Sequence, residues 1–293
     1  MYLVTGASGH LGQLVISNLL ETHKIPANKI IATSRKPETL AALKAKGVDV
    51  RAADFDDTAN LVKAFKGATR LLLISTDAMD RPGHRLEQHM NAIAAAEKAG
   101  VDHVLYTSMP KPETSAVLFA PDHVGTEKAL AASGLKGWTV LRNNWYFENL
   151  FYSLPSAIKS GTWYTAAGDG KIAHIAREDL AKAAAAALAS NETGKNTYTL
   201  TGAQEFTTGE IAKLVSDAVG KPIAVVQVPL EGLVQGMVGA GVPEPVARVF
   251  GSFDSNTAQG GLSGVTGDYR KLTSNDNTPF ANWLAKNKQA FLG

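Results

Sequence analysis

The run Thr5-Gly6-Ala7-Ser8-Gly9-His10-Leu11-Gly12 carries the clearest chemical signal in the chain. It follows Met1-Tyr2-Leu3-Val4, an apolar run that reads as a buried strand, and enters Leu11 to Leu20, which has helical apolar spacing. A strand, a glycine-dense turn and a helix in that order form a phosphate cradle. The glycines let a diphosphate approach the backbone, and the helix N-terminus presents free N–H groups and a partial positive charge. The spacing is G-x-x-G-x-x-G rather than the simplest dinucleotide fingerprint, G-x-G-x-x-G. Three glycines alone also describe an ordinary βα turn. The strand–turn–helix context points to nucleotide binding through Gly6, Ala7, Ser8, Gly9, His10, Leu11 and Gly12.

The next strand ends in Ser34-Arg35-Lys36, with no acid where an NAD-specific cradle places one for the ribose hydroxyls. An arginine there can grip a 2′-phosphate bidentately, whereas a carboxylate would repel it. The inferred cofactor is therefore NADPH, with Arg35 on the 2′-phosphate. Asp54 closes strand three at the same sheet edge and reads either as an adenine contact or as a helix cap. Ser75, Thr76, Thr107 and Ser108 end strands four and five, where open α/β sheets bind ligands and where turn formers also occur.

The catalytic machinery is written less plainly. A Tyr-x-x-x-Lys pair, with tyrosine as acid and lysine lowering its pKa, is missing: Pro110 stands four residues after Tyr106, and Leu150 four after Tyr146. The candidates are His123, expected at a helix start, Lys128 one turn on, and the cluster Asn143-Asn144-Trp145-Tyr146, of which Asn143 and Tyr146 are the foremost. His123 and His10 each also fit a solvent-facing role, and Lys128 fits a solvated helix face. The remaining histidines show no metal-ligand spacing, so no metal is expected. No G-x-S-x-G elbow marks a hydrolase.

These residues must be positioned by alternating strands and helices. Strands are expected at 29–35, 48–55, 69–75, 101–108 and 138–142, with helices at 37–46, 58–66, 85–99 and 124–132 between them. Leu71-Leu72-Leu73-Ile74 is apolar on both faces, as buried parallel strands are. The class is α/β, a Rossmann-type doubly wound parallel sheet with a smaller discontinuous α/β C-terminal lobe. The Rossmann domain is expected over 1–150 with 176–202 returning to it, and the substrate lobe over 151–175 and 203–293. Thr207 to Glu210 has capping-box spacing and opens a helix to Val219. Gly251 to Gly267 reads as a glycine-rich mobile piece, and Thr278-Pro279 as the cap of a final helix.

Composition narrows the classes further. The chain has 293 residues, 45% hydrophobic and 19% charged, enough for a large buried core. A net charge of +2 gives no footprint for nucleic acid or anionic membrane. The absence of cysteine excludes disulfides and thiolate chemistry and fits a cytoplasmic location. With strand and cradle at the first residues, no signal peptide is expected, and no apolar run is long enough to span a bilayer.

Thr5–Gly12, Arg35, His-x-x-Thr-Glu-Lys at 123–128, Leu141 to Asn149 and Ala-Ala-Gly-Asp-Gly-Lys-Ile-Ala at 166–173 together carry a family resemblance. The chain resembles the NmrA-like branch of atypical short-chain dehydrogenases/reductases, and within it the bacterial type 2 quinone reductases and the triphenylmethane reductases. The similarity runs from Met1 to about Thr208 and more thinly beyond. It implies an NADPH-dependent reductase acting on a quinone or similar planar acceptor in the cleft between lobes. It also implies that the loop after strand six, with Asn143, Trp145, Tyr146 and Phe147, borders the nicotinamide. A homodimer through helices beside strands four and five is a further implication. Some relatives carry a catalytic lysine near the position of His123, which this chain replaces. The branch also contains non-catalytic NADP(H)-binding redox sensors, which likewise lack the Tyr/Lys pair. Sugar- or flavonoid-directed enzymes are a third possibility.

Overall fold

Strands β1 (Tyr2–Val4), β2 (Ile30–Ser34), β3 (Asp49–Ala52), β4 (Arg70–Leu73), β5 (His103–Ser108) and β6 (Gly137–Asn143) alternate with helices in the computed structural model, which describes residues 1–292. The helices are α1 (His10–Glu21), α2 (Ala41–Ala45), α3 (Thr58–Phe65), α4 (His84–Lys98) and α5 (Ala120–Ala132). After β6 come α6 (Leu154–Ser160), β7 (Thr162–Thr165), β8 (Lys171–Ile172), α7 (Arg177–Ala189) and β9 (Lys195–Leu200). The chain closes with β10 (Phe206–Thr207), α8 (Thr208–Val219), β11 (Ala224–Gln227), α9 (Leu230–Gly239), α10 (Glu244–Ala258), α11 (Asp268–Thr273) and α12 (Phe280–Asn287).

The main sheet is parallel, in the order β3-β2-β1-β4-β5-β6-β9, and its strand order reverses between β1 and β4. Loops at the carboxyl ends of β1 and β4 therefore diverge and leave a crevice. Leu3, Ile31, Leu71, Leu73, Val104 and Tyr106 pack on α3, α4 and α5, while Val4, Ala32, Leu72, Leu105 and Leu141 pack on α1 and α7. This two-sided burial is why these strands read as continuous apolar runs.

Helix α7 is alanine-rich because it lies close against α1 and the sheet. Ala181, Ala183, Ala184, Ala185 and Ala187 are all buried. Both of its ends are tied to distant segments. Buried Asp179 in its first turn accepts hydrogen bonds from Lys182 Nζ (2.9 Å), Tyr269 Oη (3.4 Å) and the Thr278 N–H (2.6 Å). At the other end Arg70 donates to the last-turn carbonyls of Ala187 and Leu188 and to Glu192 O just beyond the helix.

The segments outside the main sheet form two small sheets, β10 with β8 and β11 with β7, around Phe147, Leu154, Phe280, Trp283 and Phe291. Thr207 and Glu210 make both hydrogen bonds of a capping box at α8. Three local expectations need correction. The 37–46 helix is split into a 3-10 turn, Pro37–Leu40, and the single turn and a half of α2. Gly251 to Ala258 is not a mobile loop but the second half of α10. Gly251 is helical and buried, and a Cβ there would lie 3.0 Å from Val234 Cγ2 and 3.1 Å from Leu230 Cδ1 of α9, so glycine eases the close approach of the two helices. Of Thr278-Pro279, it is Pro279 that takes the N-cap position of α12, with no side-chain cap hydrogen bond, and the Thr278 N–H is bound to Asp179 instead.

Candidate active site

The crevice at the strand reversal is a groove of about 580 Å³ whose walls include Gly6, Ser8, Gly9, Arg35, Asp54 and Thr76. Gly6 has φ +58°, the left-handed region that suits glycine. A Cβ on Gly12 would clash with the Gly6 carbonyl oxygen and lie 2.9 Å from Ala7 Cα. Glycine at position 12 is thus what lets α1 start directly on the turn. The backbone N–H groups divide into two sets. Ala7 donates to Thr33 O and Gly9 to Gly6 O, both at 3.0 Å. The N–H groups of His10, Leu11 and Gly12 meet no described carbonyl and face outward as helix-start donors.

Ser8 Oγ lies 3.0 Å from Ser34 Oγ and pins the turn to β2. Arg35 stands exposed on the groove rim without an ion pair among the described residues. The Thr76 hydroxyl oxygen is buried and has no partner. Free helix-start donors, an unpaired guanidinium and an orphaned hydroxyl fit a dinucleotide with a phosphorylated ribose. The Ala7 and Leu11 side chains are buried in the core and do not line the groove, and the exposed His10 side chain lies outside its walls. Asp54 lines it and accepts from the Asp56 N–H (3.1 Å), whereas Asp57 is the residue that caps α3. Thr107 sits behind the groove, where its Oγ accepts from the Ser75 N–H at 2.9 Å.

His84 closes the far wall. Its Nδ1 lies 2.5 Å from Asp80 and its Nε2 2.9 Å from Asp56, tying the 76–83 segment to the turn after β3. Hydrogen bonds to Asp80 first and then Asp56 hold its pKa above the ordinary imidazole value. The same contacts hold both carboxyls below theirs.

Beyond Ser75, which borders both spaces, opens a second cavity of about 950 Å³ between the sheet and helices α9 and α10. Its walls are mostly apolar and include a cluster of aromatic rings. Trp145 meets Phe253 edge to face at 5.2 Å, and Phe119 meets Phe253 at 5.9 Å. His123, Asn143 and Tyr146 all line it. Asn143 ends β6 with its side-chain oxygen buried and unpartnered. Tyr146 is partly buried, with the Arg177 guanidinium 5.5 Å from its ring centre. Burial raises its pKa, keeping the phenol protonated.

His123 is the fourth residue of α5, not a residue before it, because the helix begins at Ala120 with Pro121 in its first turn. It is buried rather than solvent-facing, and burial, then the nearby Arg85 charge, pushes its pKa well below the usual value. Its neighbours assign its proton. The Thr76 N–H donates to His89 Nε2 at 3.0 Å, so neutral His89 carries its hydrogen on Nδ1. Burial pushes the His89 pKa down to about 3. His89 Nδ1 donates to Thr126 Oγ1 (2.9 Å), whose own hydrogen goes to Asp122 O (2.7 Å). The Tyr106 hydroxyl, raised in pKa by complete burial, then donates to His123 Nδ1 at 2.7 Å. The His123 hydrogen is left on Nε2, which meets no described partner. His123 is therefore a neutral donor, not a charged acid.

The rest of the 123–128 motif fixes α5. Glu127 accepts from Ser108 Oγ (2.6 Å) and Arg142 Nη2 (2.5 Å), joining the ends of β5 and β6. Lys128 is exposed. Sequence reasoning missed Arg85 and His89, and weighed Tyr106 only as half of a Tyr-x-x-x-Lys pair. The spacing of Arg85, Gln88, His89, Ala92, Ile93 and Ala96 was the available signal, because it sets polar residues on the inward stripe of α4.

Comparison with known proteins places the fold in one family. The family model described as "NmrA-like family" matches residues 2–284. Quinone oxidoreductase 2 of Escherichia coli (strain K12) is 37% identical over 281 residues, covering 96% of each chain. The crystal structure of the NADPH-dependent quinone oxidoreductase from Escherichia coli in complex with NADPH superimposes with a TM-score of 0.92 at 35% identity, covering 100% of both chains. The Citrobacter sp. triphenylmethane reductase complexed with NADP(H) gives 0.89 at 35% identity, covering 98% of this chain and 99% of that one.

Proposed function

The chain belongs to the NmrA-like family, and on that premise we propose that it is an NADPH-dependent reductase passing hydride to quinones and comparable planar, electron-poor acceptors. One observation carries the reading: the dinucleotide-shaped groove and the aromatic cavity meet at a single shared wall residue, Ser75. Bound NADPH supplies the hydride, and the protein's task is to hold donor and acceptor in register.

The free N–H groups of His10, Leu11 and Gly12 are suited to the diphosphate, and Arg35 to the 2′-phosphate. Asp54 lies where it can accept from an adenine amine, and Ser75 and Thr76 stand at the passage toward the acceptor. Trp145, Phe253 and Phe119 offer faces and edges to a flat ring. His123 Nε2–H donates to an acceptor oxygen, with Asn143 and Tyr146 beside it. An electron-poor acceptor needs no strong acid during hydride arrival, so the missing Tyr/Lys pair is no obstacle, and water can complete protonation.

The test is NADPH absorbance in its near-ultraviolet band with benzoquinone or naphthoquinone added. Oxidation is expected. Tight NADPH binding with no oxidation by any planar acceptor would refute the reading and favour a non-catalytic NADP(H) sensor. A His123→Ala variant with full turnover would remove that residue from the mechanism.

Three coarser features belong to the same proposal. Residues 1–150 with 176–202 act as the cofactor domain, and 151–175 with 203–293 as the acceptor lobe. A homodimer uses the outer face of α4 and α5, where Met90 is 51% exposed, and light scattering of the purified chain reads it. No helix among the described residues is long and apolar enough to cross a membrane. We place the protein in the cytoplasm on its cysteine-free composition.

A further inference from the structure

Arg85 is a buried cation without a protein anion. It follows His84 on α4, but where His84 faces the cofactor groove, Arg85 faces the acceptor cavity. The residue is only 8% exposed. Its Nε is buried with no partner, and none of its N–H groups finds an acceptor among the described residues. The guanidinium instead lies over the Phe119 ring, 4.7 Å from its centre. Asp122 and Asp77 act on it from a distance, and neither pairs with it. The other charge at the cavity wall, Asp254, is spoken for: its Oδ2 accepts from Thr165 Oγ1 (2.6 Å) and the Ala166 N–H (2.7 Å).

Native structures rarely leave a buried guanidinium unpaired, because desolvating it is costly unless an anion repays the loss. The forked N–H geometry of arginine matches oxygen anions bidentately. We propose that Arg85 is the anion seat of the acceptor cavity. It binds an acceptor oxygen that is anionic, or becomes so on reduction, and it selects against cationic planar acceptors. This deepens the reductase reading and rests on it. The oxygen has two possible sources with one chemistry. It is a carboxylate or sulfonate carried by the acceptor, or the phenolate oxygen left when a neutral quinone gains hydride, before a proton from water completes the hydroquinone.

The experiment compares wild type with Arg85→Met and Arg85→Lys. Acceptors are 1,2-naphthoquinone, its 4-sulfonate and the cationic dye malachite green. Turnover is read by NADPH oxidation, and binding of the sulfonate to the NADP+-loaded protein by tryptophan quenching. NADPH Kd and Tm are measured alongside. If the anion is carried by the acceptor, Arg85→Met raises Kd and KM for the sulfonate tenfold or more and spares the neutral quinone. If the charge develops on reduction, kcat falls tenfold or more for both quinones. In either case malachite green is handled at least as well as by wild type, Arg85→Lys recovers part of the loss, NADPH Kd holds, and Tm holds or rises. Unchanged sulfonate-to-neutral ratios with unchanged kcat overturn the proposal. So does a changed NADPH Kd with quinone kinetics intact, which would give the guanidinium to the cofactor. A Tm loss in both variants with all three acceptors falling in parallel assigns a structural role and also overturns it. Wild type inactive with all three acceptors is the separate failure of the reductase reading, and sulfonate binding still decides the role of Arg85.

Discussion

Tyr106→Phe removes one buried oxygen and nothing else, yet it should change how His123 presents its proton to the acceptor. In the native arrangement the Thr76 N–H fixes the His89 hydrogen on Nδ1, which faces both Thr126 and the Tyr106 oxygen, so the Tyr106 hydroxyl hydrogen is left for His123 Nδ1, whose only donor among the described residues it is. Without it Nδ1 faces an apolar ring. A buried acceptor left unpaired costs about 1–3 kcal/mol, which for a chain of this size lowers Tm by roughly 2–5 °C. The imidazole can escape part of that cost by moving its hydrogen to Nδ1. Nε2 then becomes a lone pair aimed at the acceptor oxygen. The lost hydrogen bond is worth about 0.5–1.5 kcal/mol, so kcat/KM for a quinone should fall roughly twofold to tenfold. NADPH Kd should stay fixed, because the groove is untouched. Nitrogen-15 NMR of the imidazole, which distinguishes the tautomers directly, is the deciding measurement. Tyr106→Phe with the hydrogen still on Nε2 and native kcat/KM would refute the proton assignment.

Other outcomes follow from the groove. Arg35→Asp should weaken NADPH binding about tenfold to hundredfold and NADH far less, since one exposed charge-assisted contact to the 2′-phosphate is lost. Equal losses for both cofactors by titration calorimetry would count against the role of Arg35. Gly12→Ala must displace backbone at Gly6 and Ala7, so it should destabilise by about 1–3 kcal/mol and abolish NADPH binding, as read by Tm and fluorescence titration. For His84 the sign follows from its raised pKa. The contribution of the His84 contacts is complete below the unfolded value of 6.5 and is lost as pH rises through the higher folded value. Amide hydrogen exchange across residues 77–83, normalised to His84→Gln at each pH, should therefore be slow near pH 6 and accelerate above 6.5. A flat ratio would show that the clasp does not hold the segment.

The glycine-dense turn, the sheet and the exposed arginine after β2 were legible because each is local. A glycine whose Cβ would strike the preceding turn, an apolar run buried on both faces, and an arginine at a strand end are all signals within a few residues. The His123 role was not legible in the same way. Its chemistry depends on Tyr106 and His89, residues 17 and 34 positions away in sequence, and on a burial that no spacing around His123 announces. The helix was expected from 124, whereas it begins at Ala120 with Pro121 in its first turn, so His123 lies inside α5. Gly251 misled in the opposite sense. Its composition suggested mobility, but its place is a tight helix crossing. Arg85 was visible as a charge on an apolar stripe, and only its missing partner gives it meaning.

The ties at the ends of α7 also bear on how the protein is made. Arg70 emerges from the ribosome long before the carbonyls it will hold, and Asp179 precedes Thr278 by 99 residues. At about 5–20 residues per second, that interval lasts roughly 5–20 s. During it the nascent chain can assemble β1 to β6, but Asp179 lacks the backbone donor that its carboxylate will accept, and α7 lacks its lock. The helix that packs against the cofactor helix α1 is thus secured only after both walls of the acceptor cavity have been synthesised. A nascent chain stalled before Thr278 would hold α7 through Arg70, Lys182 and Tyr269 but lack the third donor to Asp179.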